Sequence, residues 1–320
     1  MNTDGFRHVY GPVPSRRLGR SLGIDLIPFK TCSYDCIYCQ LGRTTNKTIE
    51  RKEYVAVEAI MDELERKLAE QDIPDYISLA GSGEPTLNSG IGELISRIKA
   101  LTDIPVAVLT NGSLLWMSEV QEALMVADLV LPSLDAGDDS LFQYVNRPYR
   151  DISFERMVDG LAAFTKRFPG EVWLEVLLLA GTTGMPLEAR KIAALTSRIG
   201  ASRIQLNTAS RPPAEDFAFP LSTDQMLARK ALFSGRVDII SEDKRDGTHI
   251  PAFSQAREVD ILALLSRRPC TSTDVANGLG IHLTQALKHL DALIKVGKVT
   301  TVVTGKQRFY TTKQPMEKNQ

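Results

Sequence analysis

Six apolar, β-rich runs alternate with stretches of helical period through residue 240, and this alternation constrains the fold more than any other feature of the chain. The runs fall at residues 22–26, 76–80, 106–110, 129–133, 172–179 and 203–206; the helical patterns fall at 57–70, 91–101, 118–125, 154–168 and 187–199. Strands that each lead into a helix pair in parallel, because the helix carries the chain back to the same end of the sheet. Right-handed crossovers curl such a sheet. The expected fold is therefore α/β, a partial (β/α)6 TIM-like barrel over residues 1–240, with an open doubly wound sheet as the alternative. In both, ligands sit at the C-terminal ends of the strands.

The pattern changes after residue 240. The stretch SEDKRDGTHIPAF (241–253) is polar, carries Gly and Pro, and reads as a linker. Helical spacing follows at 256–266, then a short capped helix in TSTDVANGLG, an amphipathic helix at 283–296, and two strands around Thr304-Gly305-Lys306. Three helices and a hairpin are the order of a winged helix–turn–helix, expected over 254–315. Its recognition helix would present Gln285, Lys288, His289 and Lys295, with the Leu and Ile positions as core. The hairpin adds Lys298, Lys306 and Arg308 beside Phe309 and Tyr310. The whole chain has net charge −1, yet from residue 255 onward Lys and Arg exceed Asp and Glu by five. A basic tail on an acidic body implies separate tasks, and such a module binds RNA, DNA or a peptide.

No apolar run reaches the roughly 18 residues of a membrane span, and the first residues hold no apolar signal core. The expected location is cytoplasmic, where thiols stay reduced. The four cysteines are then metal ligands or buried thiols rather than a disulfide framework. Three of them stand in TCSYDCIYCQ, just after the first strand. Cys32, Cys36 and Cys39 have C-x3-C-x2-C spacing, which lets one loop wrap three corners of an iron–sulfur cluster. Four irons ordinarily take four thiolates, so one iron would stay open. Cys270 lies more than two hundred residues away. The alternatives are zinc completed by a distant His or Cys, or three buried core thiols.

This spacing, with Tyr38 directly before the last cysteine, resembles the radical S-adenosylmethionine superfamily over roughly residues 1–240. The resemblance implies a [4Fe–4S] cluster whose open iron is chelated by S-adenosylmethionine. It implies reductive cleavage to methionine and a 5′-deoxyadenosyl radical, which abstracts hydrogen from a substrate. Gly81-Ser82-Gly83-Glu84-Pro85 is similar to the family's Gly-Gly-Glu motif, which binds the amino group of S-adenosylmethionine, with Ser82 replacing a glycine. By the same resemblance Tyr38, Gly83, Glu84, Asn111, Ser133 and Asp135 are cofactor contacts, Ser133 and Asp135 toward the ribose or methionine part. Gln205 and Asn207 are candidates near the adenine, and Arg211 a candidate substrate contact. No catalytic side chain is assigned.

Other residues carry expectations of their own. Glu175, charged in mid-strand, should face the barrel interior, because burying it unpaired is costly. Arg16, Arg17 and Arg20 could hold a phosphate or carboxylate of the substrate. Lys30 and Arg43 would raise the potential around an anionic cluster. The first half looks closest to the branch of tRNA wybutosine-synthesis radical enzymes, without their flavodoxin-like domain, so a separate flavodoxin or ferredoxin would supply electrons. The substrate of that reading is RNA or tRNA. A redox-sensing, DNA-binding iron–sulfur regulator is the alternative from another class, as is a radical activase or peptide-modifying enzyme.

Overall fold

The computed structural model describes residues 6–70, 73–240, 258–305 and 307–312. The linker 241–253 and Lys306 lie outside them, as do the edges of the expected tail module at 254–257 and 313–315. The elements run β1 (Val9–Ser15), β2 (Gly19–Ile24), β3 (Thr31–Cys32), β4 (Asn46–Lys47), α1 (Val57–Leu68), β5 (Tyr76–Leu79), α2 (Ile91–Leu101), β6 (Val106–Thr110) and α3 (Ser118–Leu124). Next come β7 (Leu129–Pro132), α4 (Asp139–Val145), α5 (Phe154–Arg167), β8 (Glu171–Leu177), α6 (Pro186–Ile199), β9 (Arg203–Asn207), α7 (Thr223–Lys230) and β10 (Val237–Ile239). The chain then forms α8 (Glu258–Arg267), α9 (Ser272–Gly278), α10 (Leu283–Lys295), β11 (Val299–Thr304) and β12 (Gln307–Thr312).

One eight-stranded sheet organises the first 240 residues, in the order β1-β2-β5-β6-β7-β8-β9-β10. β1 is antiparallel to β2, and every later neighbour is parallel. The parallel strands never reverse their order, so right-handed crossovers put all the helices on one face. That excludes the doubly wound alternative, which needs a reversal. Seven parallel strands stand where six were expected. The extra one, β10, is only three residues long, and its VDI leaves no periodicity to read.

The two faces of the sheet differ. The outward row, including Ile77, Leu79, Val106, Val108, Leu174 and Val176, packs against the helices in the main core. α1 meets it with Val57, Ile60, Met61 and Leu64, an i, i+3, i+4, i+7 stripe. The inward row is apolar at its base and polar toward the strand ends. Leu18, just before β2, packs in one cluster with Leu129 and Leu131 of β7 and Trp173 of β8. In a flat sheet, strands about 4.8 Å apart would put β8 roughly 19 Å from β2. Arg17, also just before β2, pairs directly with Glu175 of β8, which two side chains could not do across that gap, so the sheet curls with its inward row on the concave side.

After β10 a separate core forms from α8, α9, α10 and the β11–β12 hairpin, built on Ile261, Leu265, Cys270, Leu290, Leu293 and Val299. Val13 of β1 packs against it. On α10 the buried stripe is Ala286, Leu290 and Leu293; Leu283 and Leu287 stand exposed, which corrects the expectation that all its leucines are core. Phe309 and Tyr310 are buried. No described helix is long and apolar enough to cross a membrane.

The tail core is fastened to the sheet at the end of α8. The Arg267 guanidinium pairs with Asp25, donates to the Arg7 carbonyl, and lies over the Tyr10 ring at 4.8 Å. On the other side Arg211 Nε donates to the Pro269 carbonyl at 3.1 Å. The short stretch after α8 thus bridges the start of the sheet and the segment that follows β9. Arg267→Ala should destabilise the chain by about 3 kcal/mol in chemical denaturation, because Asp25 stays buried without its cation. Arg267→Lys should recover less than half of that, since lysine cannot pair bidentately and stack at once.

Candidate functional site

The cysteine loop leaves β2 through Lys30, whose backbone is left-handed at φ 57°. Such a φ is uncommon outside glycine. Here it turns the chain so that the Lys30 carbonyl accepts the amides of Thr45 and Asn46 at 3.2 and 3.1 Å, closing the loop on itself. The loop docks on the strand ends through a close backbone approach. The Glu84 amide donates to the Thr31 carbonyl at 3.2 Å, and a Cβ on Gly83 would collide with that carbonyl.

All three thiols line one cavity of about 440 Å³ at the C-terminal ends of the strands, within the size range of ligand sites. Each accepts an N–H from a different part of the chain. Lys30 Nζ reaches Cys39 Sγ at 3.2 Å, Asn111 Nδ2 reaches Cys32 Sγ at 3.6 Å, and Asn146 Nδ2 reaches Cys36 Sγ at 3.6 Å. Burial, then the Glu84 charge, pushes the Cys32 thiol up to about 12, and burial lifts Cys36 well above the ordinary thiol range. Thiols raised this far keep their protons at neutral pH until a metal displaces them. Cys270 points into the tail's own core and leaves the loop with three thiols. Among the described residues, no three His, Cys, Asp or Glu side chains converge on a point that could hold a single metal ion.

The other sequence candidates divide into wall and brace. Tyr38, Gly83, Asn111 and Ser133 line the cavity, as does Glu175. Glu175 faces inward and is paired with Arg17, and it accepts Asn207 Nδ2 at 2.9 Å. Glu84 and Asp135, 2% and 3% exposed, do not line the cavity. Glu84 Oε1 accepts the Thr86 amide at 3.1 Å and the Thr86 and Thr110 hydroxyls at 2.6 Å each; its Oε2 accepts the Asn111 amide at 2.7 Å. Asp135 accepts from the Tyr38 hydroxyl, from Asn146 Nδ2 at 3.0 Å and from the Leu177 amide at 3.0 Å. Both carboxylates thus hold wall residues in place. Gln205 is buried on β9, and its Oε1 has no partner among the described residues. Arg43 is exposed and pairs with Glu215 at 2.5 Å and Asp35 at 3.4 Å rather than with a thiol.

Sequence reasoning missed Asn146. It caps α4 and touches Cys36, Tyr38 and Asp135, a junction formed across 110 residues of sequence from Cys36. The Asn-Arg-Pro turn signals only a helix end.

Comparison with known proteins settles the family. Residues 26–190 match the radical SAM superfamily. The chain belongs to that superfamily. Membership brings its two cofactors, a [4Fe–4S] cluster and S-adenosylmethionine. A protein of Brachyspira hyodysenteriae named GTPase Obg is 41% identical over 92% of this chain, which spans only 43% of that protein. A UPF0026 protein of Methanocaldococcus jannaschii is 36% identical, the match covering 81% of this chain and 82% of the relative. The crystal structure of a radical SAM methyltransferase from Sphaerobacter thermophilus superposes with TM-score 0.53 at 17% identity, covering 68% of this chain and 65% of that one. That likeness is one of fold alone.

Two outcomes test the site of this superfamily member. Gly83→Ala should displace the cysteine loop from the strand ends, lowering the iron bound after anaerobic reconstitution at least fivefold, measured as iron per chain. Burial raises Asp135 to about 6, against its three hydrogen bonds. Its unfolded value is about 3.9, so between these pH values the folded chain binds more protons and loses stability as pH rises. Asp135→Asn should flatten that fall, of order 3 kcal/mol, in urea titrations of the cluster-free chain between pH 4 and 7.

Proposed function

We propose that this chain is a radical SAM enzyme in which Cys32, Cys36 and Cys39 hold three irons of the cluster and S-adenosylmethionine lies in the adjoining cavity. One observation carries the reading: three thiols on one loop line a cavity at the strand ends, each oriented by its own N–H donor, while Cys270 is enclosed elsewhere. When bound, these cofactors supply reductive cleavage of the sulfonium to methionine and a 5′-deoxyadenosyl radical that takes hydrogen from a substrate. The electron comes from a flavodoxin or ferredoxin.

The protein's part is to bind, orient and exclude water. N–H donors to the thiolates from Lys30, Asn111 and Asn146 disperse the negative charge that the cluster brings, and so tune its potential. The backbone of Gly81–Gly83 and the side chains of Asn111 and Ser133 are the surfaces offered to S-adenosylmethionine. Glu84 and Asp135 act one layer back, fixing Asn111 and Tyr38. Tyr38 is held by Asp135, and burial, then the Asp135 charge, lifts its hydroxyl well above the ordinary range, so it remains a donor.

The tail, three helices and a hairpin, is read as a winged helix. Exposed Lys288, Lys295 and Arg308 favour contact with nucleic acid over peptide and make RNA or tRNA a candidate partner. A regulator with a sensing cluster would need no cavity walled by glycine backbone beside the thiols.

Anaerobically reconstituted protein, given dithionite and S-adenosylmethionine, should release 5′-deoxyadenosine, and Cys36→Ser should lower the yield at least a hundredfold. A reconstituted cubane whose EPR spectrum ignores added S-adenosylmethionine would overturn the reading.

A further inference from the structure

The cavity wall that carries the thiols is also strongly cationic. Arg16, Arg17, Arg211, Arg267 and Arg268 line it, against the single lining carboxylate Glu175. Three of these arginines have carboxylate partners: Arg17 pairs with Glu175, Arg267 with Asp25, and Arg211 lies 3.9 Å from Asp274. Arg268 is half-buried, and its guanidinium makes no ion pair or hydrogen bond among the described residues. Arg268 feels Asp274 only through space, without a close pair, so its fork is open to an oxyanion that supplies the missing hydrogen bonds.

Connectivity places Arg16 and Arg268 on either side of one short segment. Arg16 Nη1 donates to Ser210 Oγ at 3.2 Å, and the next residue, Arg211, donates from Nε to the Pro269 carbonyl at 3.1 Å. Pro269 directly follows Arg268. Hydroxyl donors join the same wall at Ser15 and Ser210, while the Thr208 hydroxyl is spent on the Leu178 carbonyl at 2.7 Å. Two guanidinium forks flanked by hydroxyls match the several oxygens of a phosphate better than the two of a carboxylate.

We propose that Arg268, carried by the tail module, and Arg16, carried by the β1–β2 turn, bind the phosphate of a phosphorylated small-molecule substrate. The tail module is then a wall of the reaction chamber as well as a surface for partners. The assignment rests on the radical SAM reading for the meaning of "substrate", and only on the cavity for the phosphate.

The test is calorimetric titration of the full-length, reconstituted protein with inorganic phosphate. Wild type should bind, Arg268→Gln should bind at least tenfold more weakly, and Arg268→Lys should recover to within about threefold. Arg198→Gln, on an exposed ion pair of α6, should match wild type. Saturating S-adenosylmethionine should leave the phosphate in place. Equal binding by Arg268→Gln, acetate binding as tightly as phosphate, or displacement of phosphate by S-adenosylmethionine would each overturn the assignment. Displacement by a short single-stranded RNA would overturn the small-molecule source. Failure of the radical SAM reading would appear separately, as absence of 5′-deoxyadenosine from wild type while phosphate still binds.

Discussion

Four pieces of the chain meet at one buried carboxylate. Glu84 takes the Thr86 amide and hydroxyl, the Thr110 hydroxyl and the Asn111 amide, while its own amide holds the Thr31 carbonyl. The end of β5, the turn Pro85–Leu87, the end of β6 and the start of the cysteine loop are thereby fixed to one another. Burial raises the Glu84 pKa, and these hydrogen bonds oppose the rise. A carboxylate without such donors would cost several kcal/mol to bury. Satisfied as it is, it sets where Asn111 stands, and Asn111 in turn orients Cys32.

The curl of the sheet makes this junction useful. With all helices on the outer face, the concave face is free to carry a different chemistry: apolar at its base around Leu18 and Trp173, polar near the strand ends at Ser133, Glu175 and Asn207. The sheet remains open between its two edges. The stretch from Arg267 to Cys270 spans the gap, tied to Asp25 and Tyr10 on one side and to Arg211 on the other.

Much of the fold was legible because its signals are local. The apolar runs at 76–80, 106–110 and 129–133 needed only their own residues to be read as strands. The run at 203–206 was equally plain, and α2 begins and ends where its periodicity does. β1 was hidden because its VYGPVPS carries two prolines that read as a loop, and α4 and α7 because they bury only Phe142 and Val145, and only Met226, too few positions to show a stripe. The cysteine loop was plain because three cysteines fall within eight residues. Asn146 was invisible because its contacts with Cys36 and Tyr38 lie far away in sequence, and Arg268 because only the fold brings it to the cavity wall. The division of carboxylates into wall and brace was equally beyond sequence, because a motif names a residue without fixing which way its oxygens turn.

The plug of Leu18, Leu129, Leu131 and Trp173 has a consequence for traffic. Those side chains, each at most 8% exposed, close the concave face from below, and the stretch after α8 closes it at the side. Among the described residues, the apolar base is thus shut, and the polar strand ends are where a molecule meets the cavity. Two molecules sharing that one approach would load deeper first, so depth as well as affinity would set their order.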